Sequence, residues 1–535
     1  MQELIDDLNR RKEKHKIASQ VKRREDEGSE HEGSEHRESE RRAGDRNERD
    51  TSARRWTARE RIDYLVDKGS FLELGALNHS DVPGMAEKSP ADGLVAGLAE
   101  IDGRPVVVMA PDRHVLAGTE GTVYIRKGAA LHKFAVERGL PIFHIGEGGG
   151  LRMPDGMGSD GISERMMPYG LLRHGREVPL ISSIMGDSFG GPTWYAIQSD
   201  FVVQVKGTCM AVAGPRMLEI ATGEKVTPEE LGGWEIHAKQ TGQTHRVAED
   251  EAGALDAMRK LFSYLPLHSG ETPPVIASDD PIDRNIDTLL DLVPTRRNRA
   301  YDMRKVIRII FDEGSFFELK PDFGGALLTG LARLGGRVVG VVASQPMIRG
   351  GSYGPDEADK AISFIAFCDS YHIPLVFLHD VPGFRVGRSA EADRMASKIM
   401  VWNQAVAWSS VPKVSVVIRK NIGAAYSNMC GPNMGADFIV AWPTAEISFT
   451  GAEVGVNVVY GRQLAKSDNP AEERQKLLTE WEFDSSPYKA AAKHLLDDVI
   501  DPRETRKFLH RTIALACRKN GGKSQRLLAN WPTGY

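Results

Sequence analysis

The chain has 535 residues, 41% of them apolar and 27% charged, with a formal net charge of −5. This is the makeup of a folded protein of two or more domains, and it excludes a global attraction to nucleic acid or anionic lipid. Four scattered cysteines (Cys209, Cys368, Cys430 and Cys517) form no CxxC pair, which argues against a zinc ribbon and a disulfide framework.

The chain opens with MQELIDDLNRRKEKHK, which is acidic and basic without an apolar core. It is not a secretory signal, and no run of about 18 apolar residues offers a membrane span. Cytoplasm is therefore the expected compartment, with no membrane partner. Residues 1–24 read as a short charged helix. From Glu25 to Arg55 the apolar residues are Ala43 and Ala53, and EGSEH occurs twice in tandem at 27–36. Such a stretch buries too little surface to offset its ordering entropy, so 1–55 is expected to be a disordered tail. His31 and His36 belong to that solvated tail rather than to a metal site.

Folded sequence begins near Trp56, and it repeats. RIDYLVDKGSFLEL (61–74) returns as VIRIIFDEGSFFEL (306–319). At a shift of 233 residues, DGLVAGLAEIDGRPVVVMA (92–110) returns as GALLTGLARLGGRVVGVVA (325–343). GLPIFHIGEGGG (139–150) meets HIPLVFLHDVPG (372–383) at the same shift. So does VPLISSIMGDSFGGPTWYA (178–196) with VPKVSVVIRKNIGAAYSNM (411–429). SDFVVQV (199–205) then pairs with ADFIVAW (436–442). The chain is a duplication, with a Pro/Ser/Asp-rich linker at 268–281 and expected domains at 56–272 and 273–535. Within each copy, apolar runs such as PVVVMA, PIFHIG and FVVQV alternate with amphipathic stretches such as TVYIRKGAALHKFAVERG. The fold class is α/β, with strands covered on both faces.

Each copy carries a buried strand, a turn of small residues and then a helix: Gly190-Gly191 in the first, Gly423-Ala424 in the second. A turn that opens a helix leaves backbone N–H groups unpaired at the positive end of the helix dipole. A pair of such N–H groups makes an oxyanion hole. A second turn, EGGG (147–150), follows the preceding strand in copy one, and DVPG (380–383) follows it in copy two.

Longer stretches are more specific: GEKVTPEELGGWEIHAKQTGQTHRV (223–247), FCDSYHIPLVFLHDVPGF (367–384), VPKVSVVIRKNIGAAY (411–426) and WPTAEISFTGAE (442–453). Over roughly 57–535 the sequence resembles the carboxyltransferase (beta) subunits of biotin-dependent acyl-CoA carboxylases, the propionyl-CoA and methylcrotonyl-CoA enzymes among them. It also resembles their transcarboxylase and decarboxylase relatives. The resemblance implies two tandem crotonase-like (ClpP-like) spiral domains, assembled as a trimer of dimers. By that resemblance the first domain takes acyl-CoA, with Gly190 and Gly191 donating to the thioester oxygen. The second takes carboxybiotin, with Gly423 and Ala424 donating to the ureido oxygen. Gly148, Gly149, Gly150, Phe189, Tyr426 and Ser427 would line the substrate sites.

The implied chemistry needs no side-chain base and no metal, because the biotin nitrogen takes the α-proton. No obvious acid/base constellation stands near either turn in the sequence. There is also no Met-Lys-Met biotin-attachment signature and no glycine-rich ATP-binding stretch. A biotin carboxylase and a biotin carboxyl carrier subunit are therefore implied partners.

The chain departs from its relatives in places. Relatives commonly carry Ser where this chain has Glu147, and Ala where it has Pro192, a residue with no N–H. Short-chain enzymes often carry Asp where this chain has Ser427. Bulky Phe189, Trp194 and Met429 suggest an acyl group other than propionyl or acetyl. Three other readings stay open at this point. They are a biotin-dependent decarboxylase or transcarboxylase, a biotin-free crotonase-type hydratase or hydrolase, and an inactive scaffold.

Overall fold

Thr57 begins the first helix of the folded region, α1 (Ala58–Leu65). Its hydroxyl accepts from the Glu60 N–H at 3.2 Å, and the Glu60 carboxylate accepts from the Thr57 N–H at 2.8 Å. This reciprocal capping satisfies two donors that a helix start leaves unpaired. The computed structural model describes residues 1–13, 55–165 and 175–532. Residues 2–13 are helical, and residues 14–54 of the expected tail, with both EGSEH copies, lie outside the described residues. Packing divides the chain into two units: Met1–His237 with Arg246–Lys260, and Ala238–His245 with Leu261–Tyr535.

The first unit holds β1 (Leu72–Leu74), β2 (Leu94–Ile101), β3 (Arg104–Pro111), β4 (Ile142–Gly148), β5 (Leu180–Phe189), β6 (Phe201–Val205), β7 (Met210–Ala211) and β8 (Arg246–Ala248). The sheet order is β1-β2-β3-β4-β5-β6-β8, with β7 beside β5. The helices that matter for the site are α2 (Thr122–Arg138), α3 (Gly191–Gln198) and α4 (Glu251–Phe262). β4 and β6 are buried at every position, as their unbroken apolar runs require. Leu94, Val107, Leu131, Ile142 and Leu180 form a core between sheet and α2.

The second unit repeats this with β9 (Phe317–Leu319), β10 (Leu327–Leu334), β11 (Arg337–Ser344), β12 (Leu375–Val381), β13 (Lys413–Ile422), β14 (Phe438–Ala441), β15 (Glu446–Ser448) and β16 (Asp498–Val499). The order β9-β10-β11-β12-β13-β14-β16, with β15 beside β13, matches the first unit strand for strand. Its helices include α5 (Met303–Ile310), α6 (Pro355–Ser370) and α7 (Met395–Trp408). α8 (Ala452–Leu464) and α9 (Pro470–Asp484) follow β15. Ile307, Val341, Leu378, Val416, Trp442 and Leu509 are part of its main core.

Neither sheet is wholly parallel. β1, β2 and β3 run antiparallel, as do β9, β10 and β11, and parallel pairing starts at β3–β4 and β11–β12. The reason is local. Asp102-Gly103 and Gly335-Gly336 all adopt positive φ, and a two-residue turn of that kind returns the chain beside itself. A carboxylate just past α1 in the first unit, and just past the helix Met303–Ile310 in the second, holds that turn. Asp67 accepts from the Asp102 and Gly103 N–H groups at 3.0 and 2.7 Å. Asp312 accepts from those of Gly335 and Gly336 at 2.9 and 2.8 Å. The starts of β5 and β13 are pinned the same way. The Asp200 carboxylate accepts from Leu180 N–H at 3.0 Å, and that of Asp437 from Lys413 N–H at 2.9 Å.

Candidate active site

β5 and β13 change partners midway. In β5, residues 181–184 pair with β6, whereas Ser188 and Phe189 pair with β7. In β13, residues 414–417 pair with β14, and 420–422 pair with β15. The preceding strand slips register at corresponding places, between Gly146 and Gly148 in β4 and between His379 and Val381 in β12. Irregularities of this kind bend a strand and re-aim its end. The end that is re-aimed is, in both units, the glycine turn.

Gly190 has φ 63° and ψ −119°, and Gly423 has φ 67°. Those angles favour glycine. Each of these residues also spends its amide inside the chain. Gly190 N–H donates to Ala211 O at 3.3 Å and Gly423 N–H to Ser448 O at 2.9 Å, the acceptors being the last residues of β7 and β15. Of each expected pair of donors, the first is thus engaged by the neighbouring strand. The amides of Gly191 and Ala424 have no acceptor among the described residues. Gly191 is half-buried and Ala424 exposed, so both can be reached from outside. The helices that follow differ. α3 has eight residues starting at Gly191, but after Ala424 there is only the turn Ala425–Asn428. Support from a helix dipole is therefore weaker at the second turn than at the first.

The glycines of the preceding turn pack closely beside the first glycine turn. A methyl group on Gly150 would stand 2.9 Å from Phe189 O, and one on Gly148 would stand 2.7 Å from Gly118 O. Gly149 N–H donates to Ala117 O at 3.1 Å. Side chains here would force the two turns apart. Phe189 is half-buried with its ring over Gly214, where a methyl group would lie 3.2 Å away. In the second unit, Tyr426 N–H donates to Gly423 O at 3.1 Å and Ser427 N–H to Ala424 O at 3.0 Å. The Tyr426 ring meets His379 edge-on at 6.3 Å, and burial raises its hydroxyl pKa. Met429 is fully buried, so it is core and not part of an acyl pocket wall, whereas Trp194 is about half exposed.

Two departures acquire a structural meaning. Glu147 is buried and accepts from Arg61 Nη1 at 2.5 Å. Arg61 also donates through Nε and Nη2 to Glu251 of α4 at 2.9 and 2.8 Å. Glu147 is therefore ion-paired. Pro192 packs its ring toward Gly148, where a methyl group would stand 3.1 Å from Cγ.

The sequence reading missed one residue at the first turn, Glu120. It precedes α2 and is tied to the EGGG turn through its backbone. Its N–H donates to Gly150 O at 2.8 Å, and its O accepts from Arg152 N–H at 2.9 Å. Its carboxyl lies against Gly191: a methyl group there would stand 2.1 Å from Oε2. The side chain is 8% exposed and makes no hydrogen bond or ion pair among the described residues. Burial pushes its pKa up to about 7. Tyr195, on α3, stacks on His144 at 5.3 Å, and burial holds His144 down to about 4. The available signal was the 233-residue register, which sets Glu120 opposite Tyr353. Both positions bridge to the preceding turn, Glu120 to Leu151 and Tyr353 to Phe384. The Tyr353 hydroxyl is instead bonded to Ser344 Oγ at 2.6 Å.

Among the described residues no cluster of His, Cys, Asp or Glu is arranged to hold a metal ion, and no helix is long and apolar enough to cross a membrane.

Comparison with known proteins agrees with this architecture. The carboxyl transferase domain family matches residues 49–528. The carboxyltransferase subunit of propionyl-CoA carboxylase from Haloferax mediterranei is 38% identical over 486 residues, covering 88% of this chain and 91% of the relative. The methylmalonyl-CoA carboxyltransferase 12S subunit of Propionibacterium freudenreichii subsp. shermanii is 35% identical, covering 89% of this chain and 91% of that one. A solved transcarboxylase 12S structure, described as a hexamer with methylmalonyl-coenzyme A and methylmalonic acid bound, superposes with a TM-score of 0.81 at 36% identity. It covers 88% of this chain and 90% of its own. The chain thus belongs to the carboxyltransferase (beta) subunits of the biotin-dependent acyl-CoA carboxylases, enzymes that transfer a carboxyl group to an acyl-CoA, and is built from two tandem crotonase-like domains.

Proposed function

We propose that the two glycine turns are the two halves of one reaction, with acyl-CoA at the Gly190-Gly191 turn and carboxybiotin at the Gly423-Ala424 turn. The observation that carries this reading is the pair of unpartnered amides, Gly191 and Ala424, at equivalent ends of two bent strands. Removing a proton α to a thioester places charge on the thioester oxygen. A fixed N–H in a partly water-excluded turn stabilises that charge without reorganising. Gly191 would do this for the thioester. Ala424 would do it for the ureido oxygen, where the positive φ of Gly423 and the exposure of Ala424 leave room for a planar ring. Carboxybiotin, delivered by a carrier subunit, supplies the carboxyl group and a nitrogen that accepts the α-proton. Gly148, Gly149, Gly150 and Phe189 shape the acyl-CoA side, and Tyr426 and Ser427 line the other.

The working assembly is a homo-oligomer, a trimer of dimers, in which each turn meets its counterpart from a second copy. Exposed apolar side chains flank both turns in support of this. Val212 (74% exposed), Met217 and Ile220 follow the first, and Phe449 (90% exposed), Val454, Val458 and Val459 follow the second. A biotin carboxylase and a biotinyl carrier complete the holoenzyme, and the cytoplasm is its compartment.

The test is carboxyl transfer from free N-carboxybiotin to a panel of acyl-CoAs of graded length and branching, using the full chain. Carboxylated product is expected with at least one member, and half-exposed Trp194 and Ser427 favour acyl groups other than acetyl or propionyl. No transfer to any member would overturn the reading.

A further inference from the structure

The thioester hole is short of one donor. Of the expected Gly190-Gly191 pair, Gly190 N–H is taken by Ala211 O, which leaves the amide of Gly191. Oxyanion holes ordinarily use at least two donors. The carboxyl of Glu120 lies against Gly191, its Oε2 2.1 Å from where a methyl group on that α-carbon would stand. This carboxyl is more than nine-tenths buried and spends nothing on the protein: no hydrogen bond or ion pair engages it among the described residues. A buried carboxylate without a partner is costly, whereas a buried neutral carboxyl is a hydrogen-bond donor in want of an acceptor.

We propose that Glu120, in its neutral form, is the second donor of the acyl-CoA hole, giving its O–H to the thioester oxygen beside the Gly191 N–H. This rests on the assignment of acyl-CoA to the Gly190-Gly191 turn. The carboxyl proton stays on Glu120 throughout. The N–CO2 bond of carboxybiotin breaks, the nitrogen it frees takes the α-proton, and the electron pair left at the α-carbon forms the new C–C bond to the released CO2. The Glu120 hydrogen bond only strengthens as charge grows on the thioester oxygen. An ionised Glu120 would repel that charge, so it must be protonated to help.

The surroundings favour the neutral form. The groups that face it are the hydroxyls of Tyr124 on α2 and Tyr195 on α3, whose own pKa values its charge helps to raise. His144 of β4, stacked under Tyr195, is held neutral by burial. Arg152, whose backbone N–H donates to Glu120 O, offers no free charge. It is committed to Asp92 at 2.7 Å and Asp155 at 3.5 Å, and donates to Thr119 O at 2.9 Å. Nothing therefore draws a proton off Glu120, and burial alone sets its pKa near 7. The second unit does not share the device. Its matching residue is Tyr353, already bonded to Ser344.

The experiment measures kcat against pH from 6 to 9 for the full chain and two variants, with N-carboxybiotin and whichever acyl-CoA the wild type carboxylates. For wild type, kcat is expected to fall as pH rises through about 7. Glu120→Gln keeps a donor that cannot ionise, so its kcat is expected within roughly tenfold of wild type at pH 6.5, with that fall removed. Glu120→Ala is expected to lose on the order of 10²–10³ in kcat with KM little changed. Wild-type kcat in Glu120→Ala would overturn the inference, as would an unaltered pH profile in Glu120→Gln. So would a folded Glu120→Gln as inactive as the alanine variant, which would make Glu120 a base. If Glu120→Ala fails to fold, the glutamine profile alone decides. A wild type inactive with every acyl-CoA is a separate failure, of the parent assignment.

Discussion

Lys127 and Lys360 occupy one position in the two units. Each sits on the long helix after the antiparallel hairpin, and each donates through Nζ to the carbonyl of the residue that opens the next-to-edge strand. Lys127 reaches Leu94 O at 2.6 Å and Lys360 reaches Leu327 O at 2.7 Å. Lys360 also donates to Phe323 O at 2.9 Å. Burial lowers both ammonium groups, to about 8 and about 7. These lysines replace backbone donors where the sheet edge meets the helix, which is why the duplication keeps them.

Lys360→Met should destabilise the protein by leaving the Phe323 and Leu327 carbonyls unpaired, at roughly 1–3 kcal/mol each. The folded pKa lies below the unfolded one, so the unfolded chain binds the extra proton between about 7 and 10.5. The stability supplied by Lys360 is then full above that window and lost as pH falls through it. The gap between wild type and variant should widen from pH 7 to pH 10 in denaturant titrations. A constant gap would contradict the buried, deprotonating lysine.

Ala424→Pro removes the uncommitted amide of the expected Gly423-Ala424 pair. Ala424 has φ −60°, which proline accepts, so the fold should persist. Turnover should fall on the order of 10²–10³ while acyl-CoA binding is unchanged. Retained turnover would show that this amide is not part of the second hole.

Gly191→Ala would drive a methyl group into the Glu120 carboxyl. Turnover should drop more than melting temperature. If the loss of activity were matched by global unfolding, the contact would be structural only.

His144→Phe should leave stability at pH 7.5 within about 1 kcal/mol, since buried Nδ1 has no hydrogen-bond partner among the described residues and a phenyl ring keeps the stack on Tyr195. Burial lowers the folded pKa to about 4 from 6.5, so wild type loses stability as pH falls across that interval. The variant should be spared that loss, roughly 1–3 kcal/mol by pH 4.5. Identical acid profiles would exclude a buried neutral His144.

Arg61→Leu should cost on the order of 3–5 kcal/mol, because Glu147 would be left buried without its cation. Urea unfolding checks this, and a change below 1 kcal/mol would mean that the pair is solvated.

The α/β class, the duplication and the place of the two turns were legible from sequence. They follow from apolar runs, small-residue turns and a constant spacing, all of which are read directly along the chain. Antiparallel β1–β3 were less visible, because an apolar strand reads alike in either sense. The role expected for Gly190 and Gly423 as donors could not be judged from the chain order. Their acceptors, Ala211 and Ser448, come 21 and 25 residues later and reach them only because β5 and β13 bend.

The sequence by itself determined which residues carry backbone freedom, namely Gly190, Gly423 and Gly150, since φ preference belongs to the single residue. Only the tertiary structure decided which amides remain free, and that Glu120, 71 positions before Gly191, lies against it. Hydrogen-bond partnership and burial are properties of neighbours in space, and those neighbours are assembled by strand pairing and helix packing, not by spacing along the chain.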